Sequence, residues 1–160
     1  MDIRALHPIK DRQIVGAVFA TAADYVTLET GAAPDDKTVV EFFDERPPSV
    51  GPDDALHFGL FEDDNPMGLL GICFGYPEPT DCYIGLLLLC KDARGLGFGP
   101  KALAHATNVA RARGMKRQLV AVLDENPKGR AFWNREGFVL DQTFAPTDDR
   151  HTRHRLIRAI

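Results

Sequence analysis

The stretch "ARGLGFGPKALAHA", residues 93–106, follows the apolar run "CYIGLLLLC" (82–90) and leads into a segment with helical apolar spacing. Gly95, Gly97 and Gly99 stand behind one cation, Arg94, where a strand hands over to a helix. A helix N-terminus presents unpaired backbone N–H groups and a partial positive charge. Glycines ahead of it let an anion come close, because no Cβ stands in the way. Arg94 adds charge-assisted hydrogen bonds suited to phosphate oxygens. Pro100 suits the first helical position, where a missing N–H costs nothing. A plain strand-to-helix turn needs fewer glycines, so the stretch reads as a pyrophosphate cradle.

Two other phosphate cradles fit less well. A Walker loop needs Lys and Ser/Thr directly after its last glycine, and Gly99 is followed by Pro100. The dinucleotide fingerprint has support from Asp124, which ends the next strand about where a ribose-binding acid sits. Its glycine spacing differs, however, and only 61 residues follow Gly99, too few for the remaining strands of that fold. A nicotinamide cofactor is therefore not expected.

Working outward, "MDIRALHPI" (1–9) alternates and reads as a first strand. Residues 11–30 carry apolar residues at helical spacing and end at Gly31, which predicts one helix. Asp35 to Glu45 predicts a second, shorter helix, ended by "RPP". "ALHFGLFE" (55–62) and "MGLLGICFGY" (67–76) flank the turn-forming "DDNP" and predict a hairpin. "CYIGLLLLC" is short and almost wholly apolar, which predicts a central strand buried on both faces. A helix from Pro100 to about Arg113 follows, stopped by Gly114, with Leu103, Ala106 and Ala110 on one face. "RQLVAVLD" (117–124) is another buried strand, and "PKGRAFWNRE" (127–136) a short helix opened by Pro127. "FVLDQTF" (138–144) and "RHRLIRAI" (153–160) are the last strands. The order is β-α-α-β-β-β-α-β-α-β-β, a mixed α/β sheet.

The chain has 160 residues, 44% of them hydrophobic, which suits one globular domain. No apolar run is long enough to span a bilayer, and the N-terminus lacks the apolar stretch of a signal peptide. Cys73, Cys82 and Cys90 have no close-paired spacing, which argues against disulfides or zinc and for a reducing cytoplasm. The five histidines are scattered and give no metal-ligand spacing, so they read as ordinary surface or core residues. Charge is divided along the chain. Residues 1–80 hold 15 Asp and Glu against 5 Lys and Arg, and residues 81–160 hold 8 against 14. This suggests an anion site in the second half and a cationic partner for the first. The acidic balance and the lack of basic residues interleaved with aromatics argue against nucleic acid.

The glycine stretch resembles the signature of the GNAT superfamily of acyl-CoA-dependent N-acyltransferases, Arg/Gln-x-x-Gly-x-Gly/Ala after a central strand. Here it reads Arg94-Gly95-Leu96-Gly97-Phe98-Gly99. A second family segment pairs an Asn with an aromatic and a Gly-Phe, and "ENPKGRAFWNREGF" supplies Asn126, Phe132, Trp133 and Gly137-Phe138. The element order matches the family along nearly the whole chain. The resemblance implies a splayed sheet that binds acetyl-CoA, a homodimerising fold, and transfer of acetyl to a small-molecule primary amine by direct attack in a ternary complex. A protein lysine or N-terminus is an alternative acceptor. A sensor that holds acyl-CoA without turnover is the alternative to an enzyme, and Trp133 is the feature that raises it.

The resemblance also implies roles. The exposed edge at Leu87, Leu88 and Leu89 would receive pantetheine as an added strand, with one N–H there polarising the thioester. The amides of Gly95, Leu96, Gly97, Phe98 and Gly99, and the Arg94 side chain, would hold the pyrophosphate. Lys128 or Arg130 would reach the ribose phosphate, and Phe132 and Trp133 would flank the pantetheine, with Phe132 the better candidate for core packing. Trp133 stands where many members carry a Tyr thought to reprotonate the departing thiolate, and an indole cannot serve as that acid. Strand alternation puts Tyr83, Gly85, Leu87 and Leu89 on one face, with Tyr83 towards the acceptor. Glu78 is a second candidate for proton transfer. Asn126 would orient a water or cap the following helix. Tyr25, Glu29, Asp35 and Asp36 would line the acceptor site, and their charge favours an amine.

Overall fold

The computed structural model describes residues 1–147 and 151–160. Its order is β1 (Asp2–Ala5), α1 (Arg12–Thr21), α2 (Ala23–Thr30), α3 (Asp36–Asp44), β2 (Ala55–Glu62), β3 (Asn65–Phe74), β4 (Asp81–Leu89), α4 (Phe98–Ala112), β5 (Arg117–Leu123), α5 (Pro127–Arg135), β6 (Val139–Phe144) and β7 (Arg153–Ala159). Single 3-10 turns precede β2 and follow β4. The seven strands form one sheet in the order β1-β2-β3-β4-β5-β7-β6. Every pairing is antiparallel except β4 with β5. The mixed α/β sheet predicted from the sequence is the observed architecture.

Each face of the sheet carries its own core. On one, Leu103, Ala106 and Ala110 of α4 and Trp133 of α5 pack on Ile72, Ile84, Val122 and Leu156. On the other, Val15, Val18 and Phe19 of α1, Val26 of α2 and Val39 and Phe43 of α3 cover Leu69 and Leu88. Helical spacing of the apolar residues decides which stripe of each helix is buried.

Several details differ from the sequence reading, among them the first strand, expected over residues 1–9 and found only at Asp2–Ala5. The helix expected over residues 11–30 is two helices, broken at Ala22, whose φ of −111° and ψ of 25° leave the helical range. No Gly or Pro marks the break. Instead the Thr21 hydroxyl donates back to the Val18 carbonyl at 2.9 Å, a bond that competes with the helix ladder. In addition, α4 begins at Phe98, so Pro100 is its third residue, where its absent N–H is still one that no helical carbonyl would meet. Nor is β4 buried throughout: Gly85 is exposed and Tyr83, Leu86, Leu87 and Leu89 are half-buried. The hairpin turns on Asp63 and Asp64, both at positive φ, and β3 takes in Asn65 and Pro66.

The β4–β5 pairing is short. It runs from Asp81↔Arg117 to Ile84↔Val120 and stops, although β4 continues along β3 to Leu89 and β5 continues along β7 to Leu123. The two central strands therefore part beyond their fourth pair. At the joined end the Asp81 carboxylate, wholly buried, takes Nε and Nη2 of Arg117 at 2.7 Å each and the N–H of Glu78 at 3.2 Å. Bidentate Arg–carboxylate pairs are the strong class of such bonds.

Removing either partner tests this clasp. Asp81→Ala is expected to cost about 2 kcal/mol of unfolding free energy in urea. Arg117→Ala should be the more damaging, because it leaves the buried Asp81 carboxylate without its cation. The reverse order would contradict the description of this end of the sheet.

Candidate active site

Beyond Ile84 the outer edge of β4 has no strand beside it among the described residues. Its hydrogen-bonding direction follows from the ladder. The N–H of Cys90 donates to the Met67 carbonyl, so this pair faces β3. Antiparallel pairs alternate, which turns Leu86 and Leu88 to β3 and Leu87 and Leu89 to the open side. The Leu89 carbonyl accordingly accepts from Arg94 Nε at 3.3 Å rather than from β3.

The register of β3 and β4 shifts at Gly71/Ile72, leaving Gly85 as an extra, bulged residue. This corrects the expectation that Tyr83, Gly85, Leu87 and Leu89 share one face. After the bulge Leu87 packs with the α4–α5 core, whereas Tyr83, Gly85 and Leu86 look into a cleft on the opposite face.

The turn after β4 gives each glycine a reason. Gly95 and Gly97 have φ of 80° and 85°, and nothing lies within 4 Å of where a Cβ would be on either. Both therefore offer strain-free left-handed backbone and open space at the start of the 15-residue α4. Gly99 serves a different end. A Cβ there would sit 3.1 Å from the Phe132 ring, so Gly99 lets α5 approach α4. Leu96 is 64% exposed and Phe98 is buried in the α1–α3 core.

Arg94 is not free-standing. Its Nη1 and Nη2 donate to Asp24 of α2 at 2.5 and 2.8 Å. The pairing pulls the Asp24 carboxyl from its usual 3.8 to about 2.

On α5, Asn126 is the N-cap: its side-chain oxygen accepts the Gly129 N–H at 2.9 Å. The capping role expected of it is thus present. Lys128 is exposed and Arg130 half-buried in the first turn. Trp133 is 6% exposed and edges against Phe132 and Phe138, so it belongs to the core, and Phe132 is the more accessible ring. This reverses the expected division between the two aromatics.

The cleft opposite has a volume of about 800 Å³ and lies between α2, α3 and the β2–β4 face. Tyr25, Glu29 and Tyr83 line it as expected. Asp35 and Asp36 do not. Asp35 caps α3, taking the Thr38 N–H at 3.0 Å, and Asp36 lies in its first turn. Glu78 is also elsewhere, in the loop before β4, where its N–H bonds Asp81. Burial, and next the neighbouring Tyr76, push the Tyr83 phenol up to about 12. It stays protonated near neutral pH, able to donate a hydrogen bond and unsuitable as a base.

The sequence reading missed Glu41, Glu45, His57, His151 and Arg153, which also line the cleft. His57 is notable. It lies on β2 directly opposite Gly71, which is opposite Leu86. The absent side chain at Gly71 lets the Phe42 ring settle over the strand: a Cβ there would lie 3.5 Å from Phe42 Cε2 and 3.8 Å from both His57 Cδ2 and Leu86 Cβ. Burial lowers the His57 pKa, so the ring is neutral near pH 7. The edges of Phe42 and Phe43 hold the ring. A lone His in a strand carries no sequence signal, since only strand pairing brings it to Gly71.

Cys73 and Cys82 are pushed by burial to about 11 and about 12, so neither is a ready nucleophile. Among the described residues no group of three or more His, Cys, Asp or Glu is arranged to hold a metal ion. No helix of these residues is long and apolar enough to cross a membrane.

The Asp24 shift predicts a pH dependence. Its folded value lies below the unfolded one, so it adds stability above about pH 4 that is lost as pH falls towards 2. The effect is small, because both groups are more than a third exposed. In acid titrations followed by circular dichroism, Arg94→Met should flatten this limb. An unchanged limb would show that the pair adds nothing to stability.

The model of the acetyltransferase (GNAT) family matches residues 20–138 of the chain. No curated protein matches. Among solved structures, an acetyltransferase from Thermus thermophilus superposes with a TM-score of 0.82 at 29% identity, covering 99% of this chain and 96% of that one. The ribosomal-protein-S18-alanine N-acetyltransferase of Escherichia coli gives a TM-score of 0.72 at 15% identity, covering 99% and 93%. The PaiA N-acetyltransferase of Thermoplasma acidophilum, solved in complex with coenzyme A, gives 0.70 at 15% identity, covering 96% of each chain. The last two show the fold alone. With the family match spanning most of a chain whose central strands part as described, the protein belongs to the GNAT acetyltransferase family and is an acyltransferase.

Proposed function

We propose that the protein transfers acetyl from acetyl-CoA to a primary amine on a small molecule, by direct attack within a ternary complex. The parting of β4 and β5 carries this reading. It leaves the N–H and C=O groups of Leu87 and Leu89 facing an open edge, suited to an amide-bearing chain lying as an added strand. The residues present fit the rest of acetyl-CoA. The amides from Gly95 to Gly99, at the α4 N-terminus and with open space over Gly95 and Gly97, suit the pyrophosphate. Lys128 and Arg130, in the first turn of α5, would supply charge to a further phosphate, and Phe132, beside Gly99, is the aromatic at that side.

The thioester supplies an activated acetyl group: the amine nitrogen bonds to its carbonyl carbon and the C–S bond breaks. The chain's contribution is placement and charge. The Leu87 N–H, on the open side of β4, would polarise the thioester carbonyl and meet its developing negative charge. The attacking amine must be neutral and must lose a proton. His57, neutral and part of the cleft lining, accepts it through a water. Tyr83 donates a hydrogen bond within the cleft. Trp133 is buried and gives no acid, and a thiolate with an ordinary pKa of about 8.5 leaves without one.

The cleft volume falls in the range of small-molecule sites. Glu29, Glu41 and Glu45 favour an amine-bearing acceptor, with Arg46 and Arg153 as the cationic part of the same lining. The volume and this lining favour a small acceptor.

Calorimetric titration with acetyl-CoA, CoA and NADPH, followed by a thiol-release assay over a panel of amines, tests the reading. Acetyl-CoA and CoA should bind and NADPH should not. Arg94→Ala should weaken both at least about tenfold. Thiol release should rise with selected amines. Binding without any amine-dependent release would favour a sensor. His57→Gln should lower kcat about a hundredfold and remove the limb of the kcat–pH profile that lies below 6.5. A profile unchanged by the substitution would exclude His57 as the base.

A further inference from the structure

Asp24 lines neither the glycine turn nor the cleft, yet it touches the residue at the mouth of one and sits on the helix that walls the other. It lies in the first turn of α2, one residue before Tyr25 and five before Glu29. Its two carboxylate oxygens take Nη2 and Nη1 of Arg94 at 2.8 and 2.5 Å. Arg94 Nε meanwhile holds the carbonyl of Leu89, the last residue of β4. One guanidinium thus joins the open strand edge, the glycine turn and α2. Three of its five N–H bonds are used in this way, and two remain to donate.

α2 is short and modestly anchored: Tyr25 packs half-buried against the α1–α3 core, and Gly31 caps the C-terminal end. Val26 is its sole buried residue, and its first turn has no side-chain cap. Such a helix opens at low cost unless something else holds it. An exposed ion pair is weak alone. It becomes more effective when a third, anionic group orders the shared guanidinium, because the side-chain entropy of Arg94 is then lost once for both contacts.

We propose that Asp24 is a positioning residue that couples the two substrate sites. It holds Arg94 facing the pyrophosphate turn. Through the same bond it makes the order of α2, and so of Tyr25 and Glu29 in the acceptor wall, depend on CoA. This rests on the reading that Arg94 and the glycine turn receive CoA. Coupling of this kind is reciprocal: what CoA does for α2, an ordered α2 does for CoA affinity.

Hydrogen exchange with and without saturating CoA, read by mass spectrometry on wild type, Asp24→Asn and Asp24→Glu, tests the coupling, with calorimetric CoA titrations alongside. In wild type, CoA should slow exchange both in the glycine turn and across residues 23–30. In Asp24→Asn, CoA should bind about fivefold more weakly and still protect the turn, but the protection of α2 should vanish. Asp24→Glu, which keeps the carboxylate, should recover part of it. A purely structural role for Asp24 would raise exchange in α2 equally with and without CoA and leave the difference intact, and that result overturns the proposal. Tighter CoA binding in Asp24→Asn also overturns it, since Asp24 would then compete with phosphate for Arg94. Wild type that binds no CoA at all would remove the reading of the glycine turn itself, and the coupling with it.

Discussion

Two strands that begin side by side and then part set the terms for everything else in this molecule. β4 and β5 share four residue pairs and separate, each held by its outer neighbour. An unpaired strand edge inside a sheet is costly unless its N–H and C=O groups are satisfied. One of these groups, the Leu89 carbonyl, is met by Arg94. The closed end carries the compensating bonds: the Asp81–Arg117 pair, the Lys116 N–H to Thr80 and the Ile160 N–H to Lys116. The sheet is pinned at one end so that it is open at the other.

The two proposed sites lie on either side of that opening and share its parts. The bulge at Gly85 lets one strand serve both, turning Leu87 to the α4–α5 side while Tyr83 and Leu86 face the cleft. The cation after the strand binds α2, a helix that lines the cleft, so charge from the basic second half of the chain meets charge from the acidic first half. The division of charge seen in the sequence thus has at least one structural counterpart, the Asp24–Arg94 pair.

Much of the fold was legible because it is written in local signals. Apolar spacing, Gly31, Gly114 and Gly137 marked the helices and their ends, and the paired Asp residues marked the hairpin. The glycine turn was legible for the same reason, although Gly99 proves to serve helix packing. What escaped was non-local or was a one-residue irregularity. The bulge at Gly85 leaves no trace in composition and reverses the alternation on which the face of Leu87 was read. The break at Ala22 involves no breaker residue. His57 needs the register of three strands to reach the cleft, and Asp35 and Asp36 carry the charge expected of an acceptor wall but are used to start a helix. Buried Trp133 shows the same limit: its position in a motif says nothing of its exposure.

The central claim is that acetyl-CoA lies along the open edge of β4, and amide hydrogen exchange resolved by NMR tests it residue by residue. Leu88 faces β3 and should be protected with or without acetyl-CoA. Leu87 and Leu89 face the opening and should exchange freely until acetyl-CoA is added, then become protected. Saturable binding that leaves Leu87 and Leu89 unprotected would contradict the account, because the cofactor would then be seated somewhere other than where the strands part.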